Sequence, residues 1–171
     1  MDWYAIILRV LHIAAGLFWV GAAFVLFLFI QPSARELGPE GQRFMGHLAV
    51  KKKLPMLVML SAILTILAGI LLYWRASDGF DLDWIRSGPG IGFTIGGLAA
   101  IATLALGLSL SKPAMDRMGA LGQEIAASGG QPSPSQVSEM QRVQARMVTI
   151  GRVSMVLLTI AVVMMAAARF L

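Results

Sequence analysis

The chain has no cysteine among its 171 residues. That absence excludes disulfides, thiolate metal sites and thiol nucleophiles together. Charged residues are also scarce, at 13%, whereas hydrophobic residues make up 57%. Soluble domains carry about 25% charged residues. The composition therefore indicates a membrane protein, and the length leaves room for one helical bundle without a separate catalytic domain.

Acidic residues are absent from the long apolar runs, because all nine lie in the intervening loops or at a chain end. The sequence therefore offers no pair of buried carboxylates for a proton relay. It also has no phosphate-binding glycine loop, zinc-protease motif or plausibly placed Ser-His-Asp set. The net charge of +5 comes without a basic patch that has stacking aromatics. We expect the lipid bilayer as a partner and no nucleic acid.

Four segments are apolar over about 20 residues or more, the length needed to cross a hydrocarbon core as a helix. These predicted spans cover residues 4–30, 54–74, 91–111 and 147–168. The predicted fold is all-α, a single integral membrane four-helix bundle comprising residues 1–171.

The basic residues predict the orientation of the bundle. Most of them lie in or beside the first and third loops: Arg35, Arg43, Lys51, Lys52, Lys53, Lys112, Arg117, Arg142, Arg146 and Arg152. Lys and Arg are enriched in cytoplasmic loops, so both termini are expected on the outer, periplasmic side of a bacterial-type inner membrane. An aromatic belt is expected at that outer face: Trp3, Tyr4, Tyr73, Trp74 and Trp84.

The third loop predicts a cytoplasmic helical hairpin over about residues 112–146. Ser133 is placed to cap a helix that begins at Pro134, with Gln136 completing a capping box. Apolar residues at helical spacing line both arms: Met115, Met118, Leu121, Ile125, Val137, Met140, Val143, Met147 and Ile150. Two interpretations stay open. The hairpin packs only on itself, or it docks other membrane subunits.

Small residues at four-residue spacing mark the predicted helix contacts within the bilayer. The second span has Ser61, Thr65 and Gly69, and the third has Gly92, Gly96, Ala100, Thr103 and Gly107. Because lipid is as apolar as leucine, membrane helices associate through close packing of small residues. We interpret both stripes as bundle interior.

One face of the first span carries its polar residues and its tryptophan. Arg9, His12, Gly16, Trp19 and Ala23 recur at intervals of three and four. An ionisable residue inside a membrane is a functional candidate by default. Two interpretations of His12 are open: a ligand for a cofactor, or a ring that only hydrogen-bonds a facing Ser, Thr or backbone carbonyl. Arg9 is either part of the same site or a residue that snorkels to the interface.

The stretch LHIAAGLFWVGAAF, with His12, Trp19 and Gly21, resembles the first helix of membrane proteins around copper-resistance protein D. It is also similar to the J-type protoporphyrinogen IX oxidases, haem-associated proteins with a histidine in an LHI setting before a tryptophan. LSAILTILAGILL, Leu60 to Leu72, resembles the second helix of those oxidases. The lysine of their third helix and the Asn-Glu pair near their fourth are missing here. The resemblance therefore carries over only His12.

The resemblance implies haem b as the cofactor, with His12 as an axial ligand and as the candidate metal ligand. Arg9 and Trp19 complete the candidate cofactor-binding set. A single histidine without thiolates or carboxylates suits haem better than a structural zinc site. Copper is the second metal considered, since Met45, His47, Met56 and Met59 form the one cluster of soft ligands that could begin a transport path.

Three functions from different classes follow. The first is a haem- or metal-binding membrane protein with a redox or metal-handling role. The second is a non-catalytic accessory subunit of a larger membrane complex. The third is a copper-handling permease-like protein. The sequence predicts no particular reaction, so it does not decide whether the protein is an enzyme.

Overall fold

The computed structural model describes residues 2–171, and that range is helical without a β-strand. The helices are α1 (Trp3–Glu36), α2 (Pro39–Gly46, continued by a wide π-type turn over His47–Lys51), α3 (Leu54–Ala76), α4 (Leu82–Arg86), α5 (Gly88–Ala127) and α6 (Pro134–Phe170). Four of them, α1, α3, α5 and α6, are long and apolar enough to cross a membrane. The predicted all-helical fold with four apolar spans is confirmed.

Two of these helices continue well past the predicted spans. α1 extends to Glu36 and α5 to Ala127, each through a π-type turn, at Leu26–Ile30 and Gly107–Ser111. A proline lies two residues after each turn, at Pro32 and Pro113. Proline has no N–H to donate and its ring clashes with the carbonyl four residues earlier. The wider hydrogen-bonding turn lets the helix continue past the proline.

The helices pack as two pairs, α1 with α3 and α5 with α6. The pairs meet in one core, whose buried members are Trp19, Ala62, Ala99, Ala100, Leu158 and Ala161. Most of these side chains are small, which lets the four backbones approach closely. Ser61, Thr65, Gly92 and Gly96 are also buried, so these members of the small-residue stripes lie in the bundle interior. Gly107, which the third-span stripe included, has nothing within 4 Å of a β-carbon and does not pack against another helix there.

Both chain ends lie at the same end of the bundle as the α3–α5 connection. Asp2 caps α1 by accepting a hydrogen bond from the Ala5 N–H and forms an ion pair with Arg75 at the end of α3. At the other terminus, Leu171 lies against Gly88, the first residue of α5. An antiparallel bundle with an even number of long helices produces this arrangement.

The extensions of α5 and α6 pack against each other beyond the apolar core. Ser133 and Gln136 form the predicted capping box at the start of α6. The Arg117 guanidinium donates to both carboxylate oxygens of Glu139, at 2.7 and 2.8 Å, and to Glu124 at 2.8 Å. These bonds raise the pKa of Arg117 and lower the pKa of Glu139. Leu121 is fully buried beside them, so the two extensions form a hairpin with a small core of its own.

Candidate functional site

The His12 ring bridges α1 and α3. Its Nδ1 lies 2.8 Å from the backbone carbonyl oxygen of Thr65. A carbonyl oxygen can only accept, so Nδ1 must carry the hydrogen. In the neutral ring, Nε2 then holds the lone pair, and it is this nitrogen that is able to bind a metal ion.

Two glycines allow the ring and the two backbones to come this close. A β-carbon on Gly69 would lie 2.9 Å from Cε1 and 3.0 Å from Nδ1 of His12, which is too close for a side chain. On α1, a β-carbon on Gly16 would lie 3.4 Å from Cγ2 of Thr65. The space for the ring therefore depends on Gly69. Sequence reasoning identified Gly69 only as a packing residue, although its position one turn after Thr65 was the available signal.

The structure selects the backbone carbonyl among the partners that the sequence left open for His12. The Thr65 hydroxyl donates instead to the carbonyl of Ser61, at 2.7 Å, and the Ser61 hydroxyl donates to the carbonyl of Val58, at 2.8 Å. Both hydroxyls are thus satisfied within α3. The hydrogen bond to Thr65 satisfies Nδ1 of His12 without any cofactor. A ligand would therefore have to bind to Nε2.

Nε2 of His12 is accessible from outside the protein. Within residues 2–171, His12 makes no hydrogen bond besides the one to Thr65. Over the same range, every fully buried side-chain nitrogen or oxygen has a hydrogen-bond partner. Since Nε2 has none, it cannot be fully buried. The ring is partly buried, with one nitrogen held by α3 and the other not fully enclosed by the protein.

The two other candidate residues, Arg9 and Trp19, lie in different environments. Arg9, one turn before His12, is exposed and forms no ion pair with a carboxylate of residues 2–171. Trp19 is 5% exposed and packs in the four-helix core. It lies seven residues after His12, about 10 Å further along α1. Arg9 is therefore free to meet a ligand beside His12, whereas Trp19 supports the packing of α1.

The remaining metal-ligand candidates lie far from His12. His47 is exposed on the π-type turn after α2, near the start of α3, and Thr65 is about 16 Å further along that helix. Met45 lies on α2 and Met56 and Met59 on the first turns of α3. In the part of the chain from residue 2 onward, no three His, Asp or Glu side chains gather as a metal site.

Two open clefts, of 390 and 190 Å³, lie elsewhere: the first beside Arg86 and Thr94, the second beside Phe29 and Phe44. Neither cleft is lined by His12.

The hydrogen bond of His12 to a backbone carbonyl is of a kind that metal-bound histidines also make. Such a histidine usually donates its other N–H to a carboxylate or a backbone carbonyl, which sets the tautomer and the orientation of the ring. No family model, no curated protein and no solved structure matches this chain. The candidate site thus depends on a ring whose Nδ1–H is held by Thr65 and whose Nε2 is accessible.

Proposed function

We propose that this protein is a multi-pass protein of a bacterial inner membrane that binds haem b through Nε2 of His12. The observation that carries the proposal is the 2.8 Å contact between His12 Nδ1 and the Thr65 carbonyl. It holds the ring in the tautomer that leaves Nε2 free. The resemblance of the first helix to haem-associated membrane proteins agrees with this role.

The residues around His12 fit such a cofactor. Leu11 and Ile13 project from α1 to either side of the His12 face and are 40% and 52% exposed, so apolar surface flanks the ring. Arg9 supplies an exposed cation one turn away, and a guanidinium pairs well with a carboxylate. A bound haem would supply one-electron transfer, with its potential set by the axial ligand and its surroundings. Thr65 and Gly69 would keep the imidazole in place during that exchange.

The proposal includes an orientation with both termini outside the cell. Its support is the distribution of charge: the α1–α3 connection and the two arms of the α5–α6 hairpin are rich in Lys and Arg, while the α3–α5 connection carries Asp78, Asp81 and Asp83. The cluster of Tyr73, Trp84 and Phe93 lies at the end of the bundle that would face the periplasm. Labelling of single cysteines placed in each connection of this cysteine-free chain would test the orientation.

An absorption spectrum tests haem binding. We expect the purified, detergent-solubilised protein to take up haem with a Soret band, and the His12→Ala variant to lose it. His47→Ala is the matched control, because it removes the other histidine of the chain and should leave the band unchanged. A thermal unfolding midpoint for each variant shows that it is folded. Haem uptake that is absent from the native chain, or unchanged in folded His12→Ala, would overturn the proposal.

A second candidate function is a non-catalytic accessory subunit of a larger membrane complex. The α5–α6 hairpin favours it, because Arg117 and Glu139 hold two helices together beyond the apolar core, where a partner could reach them. Deletion of residues 120–138 should then release the partner during co-purification. A protein that runs as an isolated monomer or homodimer in native mass analysis would exclude this function.

A further inference from the structure

We propose that α2 and its flanking residues bind anionic phospholipid headgroups at the membrane surface. The basic corner, as we name this surface, consists of Arg35, Arg43 and Lys51–Lys53. It lies where α1 ends, α2 crosses and α3 begins. This inference goes beyond the proposed function and does not depend on His12.

The charge of the basic corner is not neutralised by the protein itself. All five cations are exposed, and none forms an ion pair with a carboxylate within residues 2–171. The acids in the same segment are two, Glu36 and Glu40. In the α5–α6 hairpin, by contrast, Lys112 pairs with Asp116 and Arg117 with Glu139. The basic corner therefore keeps a net positive charge available for an anionic partner.

Apolar side chains next to these cations indicate a lipid surface rather than a free anion. Leu37, Phe44 and Val50 are 60%, 50% and 71% exposed. Phe44 and Leu37 also line the 190 Å³ cleft between α2 and the end of α1. A helix with exposed apolar residues beside Lys and Arg is typical of segments that lie in the membrane interface.

The position of the lysines in the chain also favours lipid. Lys51–Lys53 directly precede α3, so the charges lie within about one Debye length of the point where the chain enters the apolar layer. Lys53 adopts a left-handed backbone conformation, with φ of 52°, which a glycine would reach without steric cost. Lys53 is the residue that caps the start of α3, so its charge lies at the point where the chain enters the apolar layer.

Lipid retention by the full chain tests this inference. The purified protein in neutral detergent would be titrated with phosphatidylglycerol or with phosphatidylcholine of the same acyl chains, and bound lipid counted by native mass spectrometry. We expect phosphatidylglycerol to be retained in preference. The triple variant Lys51→Gln, Lys52→Gln, Lys53→Gln should lower that preference about tenfold, since each Lys near an anionic surface contributes to attraction.

The matched control removes three charges from α6 instead, as Arg142→Gln, Arg146→Gln and Arg152→Gln. It should lower the preference clearly less than the lysine variant does, because these charges lie on α6 and not in the basic corner. An equal loss in both triple variants would overturn the proposal, as would the absence of any headgroup preference. Displacement of the lipid by inorganic phosphate alone would also overturn it, in favour of a simple anion site.

A salt series on the unmodified chain keeps the test decisive if the lysine variant fails to fold. The preference for phosphatidylglycerol should fall steadily as sodium chloride is raised, because exposed charges are screened. A preference that does not respond to salt would contradict binding by the basic corner. Displacement of the lipid by a short DNA duplex at matched charge would identify a general polyanion surface and likewise reject the lipid assignment.

Discussion

Both helix pairs of the bundle depend on glycines for close approach, but different groups fill the space beside those glycines. In the α5–α6 pair, a β-carbon on Gly92 would lie 2.8 Å from Cβ of Ala168, and one on Gly96 would lie 2.8 Å from Cγ of Met165. In the α1–α3 pair, the space at Gly69 is filled by the His12 ring. Glycine allows close approach in both pairs, but alkyl groups fill the space in one and an imidazole fills it in the other.

This difference shows that a polar ring is not needed to pair these helices. The α5–α6 pair packs through small residues and alkyl groups within its apolar part, and its polar bonds lie in the hairpin beyond, at Arg117. Interhelical hydrogen bonds within membranes contribute only about 0.6 kcal/mol on average. The His12 contact is therefore a modest source of stability, and the accessible Nε2 is the feature that packing does not explain.

The largest expected effect comes from filling the α5–α6 contact. Gly96→Leu should destabilise the bundle by about 1–3 kcal/mol, because its side chain would collide with Met165 and with the carbonyl of Ala161. Gly97→Leu is the matched control, since nothing lies within 4 Å of a β-carbon there. Thermal unfolding followed by circular dichroism in one detergent measures both. Equal midpoints for the two variants would contradict close packing at Gly96.

A smaller effect is expected at the equivalent point of the α1–α3 pair. Gly69→Ala should displace the His12 ring and break its bond to Thr65, at a net cost below about 1 kcal/mol, because one membrane hydrogen bond is worth little. The ¹⁵N chemical shifts of the imidazole report which nitrogen carries the hydrogen. Gly21→Ala, where a β-carbon meets nothing within 4 Å, should leave those shifts unchanged. Unchanged shifts in Gly69→Ala would show that the ring does not depend on this space.

The smallest effect is expected in the hairpin, because Arg117 and Glu139 are both partly exposed. Arg117 lowers the pKa of Glu139, so the ion pair stabilises the hairpin fully at pH values above the ordinary glutamate pKa. That contribution is lost as the pH falls below the ordinary glutamate pKa and through the lowered pKa of Glu139. The raised pKa of Arg117 adds no pH dependence in this range, because the guanidinium stays charged.

Loss of the ion pair should let the two arms of the hairpin separate, and spin labels on introduced cysteines measure the distance between them. Gln123→Cys on α5 and Gln141→Cys on α6 are exposed positions, and the chain has no other cysteine to react. The distance distribution between the labels should broaden on acidification. In a Glu139→Gln background, the distribution should already be broad at neutral pH and change less. A distribution that is narrow and constant at every pH in both backgrounds would show that the ion pair does not hold the hairpin.

Local sequence signals determined most of the architecture. Runs of apolar residues predicted four spans, because a helix must satisfy its own backbone hydrogen bonds in lipid. The capping box at Ser133 and the stripe at Ser61, Thr65 and Gly69 were likewise readable, since spacing along one helix defines a face. The helix α2 was missed, because its eight residues of mixed polarity between Gly38 and His47 form too short a pattern to stand out.

Only the tertiary structure decided what His12 meets. The sequence placed the ring on one face of a membrane helix and left Ser, Thr and backbone carbonyls as equal partners. The relative rotation and height of α1 and α3 bring Nδ1 to the carbonyl of Thr65 and leave Nε2 accessible. Those two quantities depend on how all the contacting side chains fit together, including the space at Gly69, and no periodicity within a single helix encodes them.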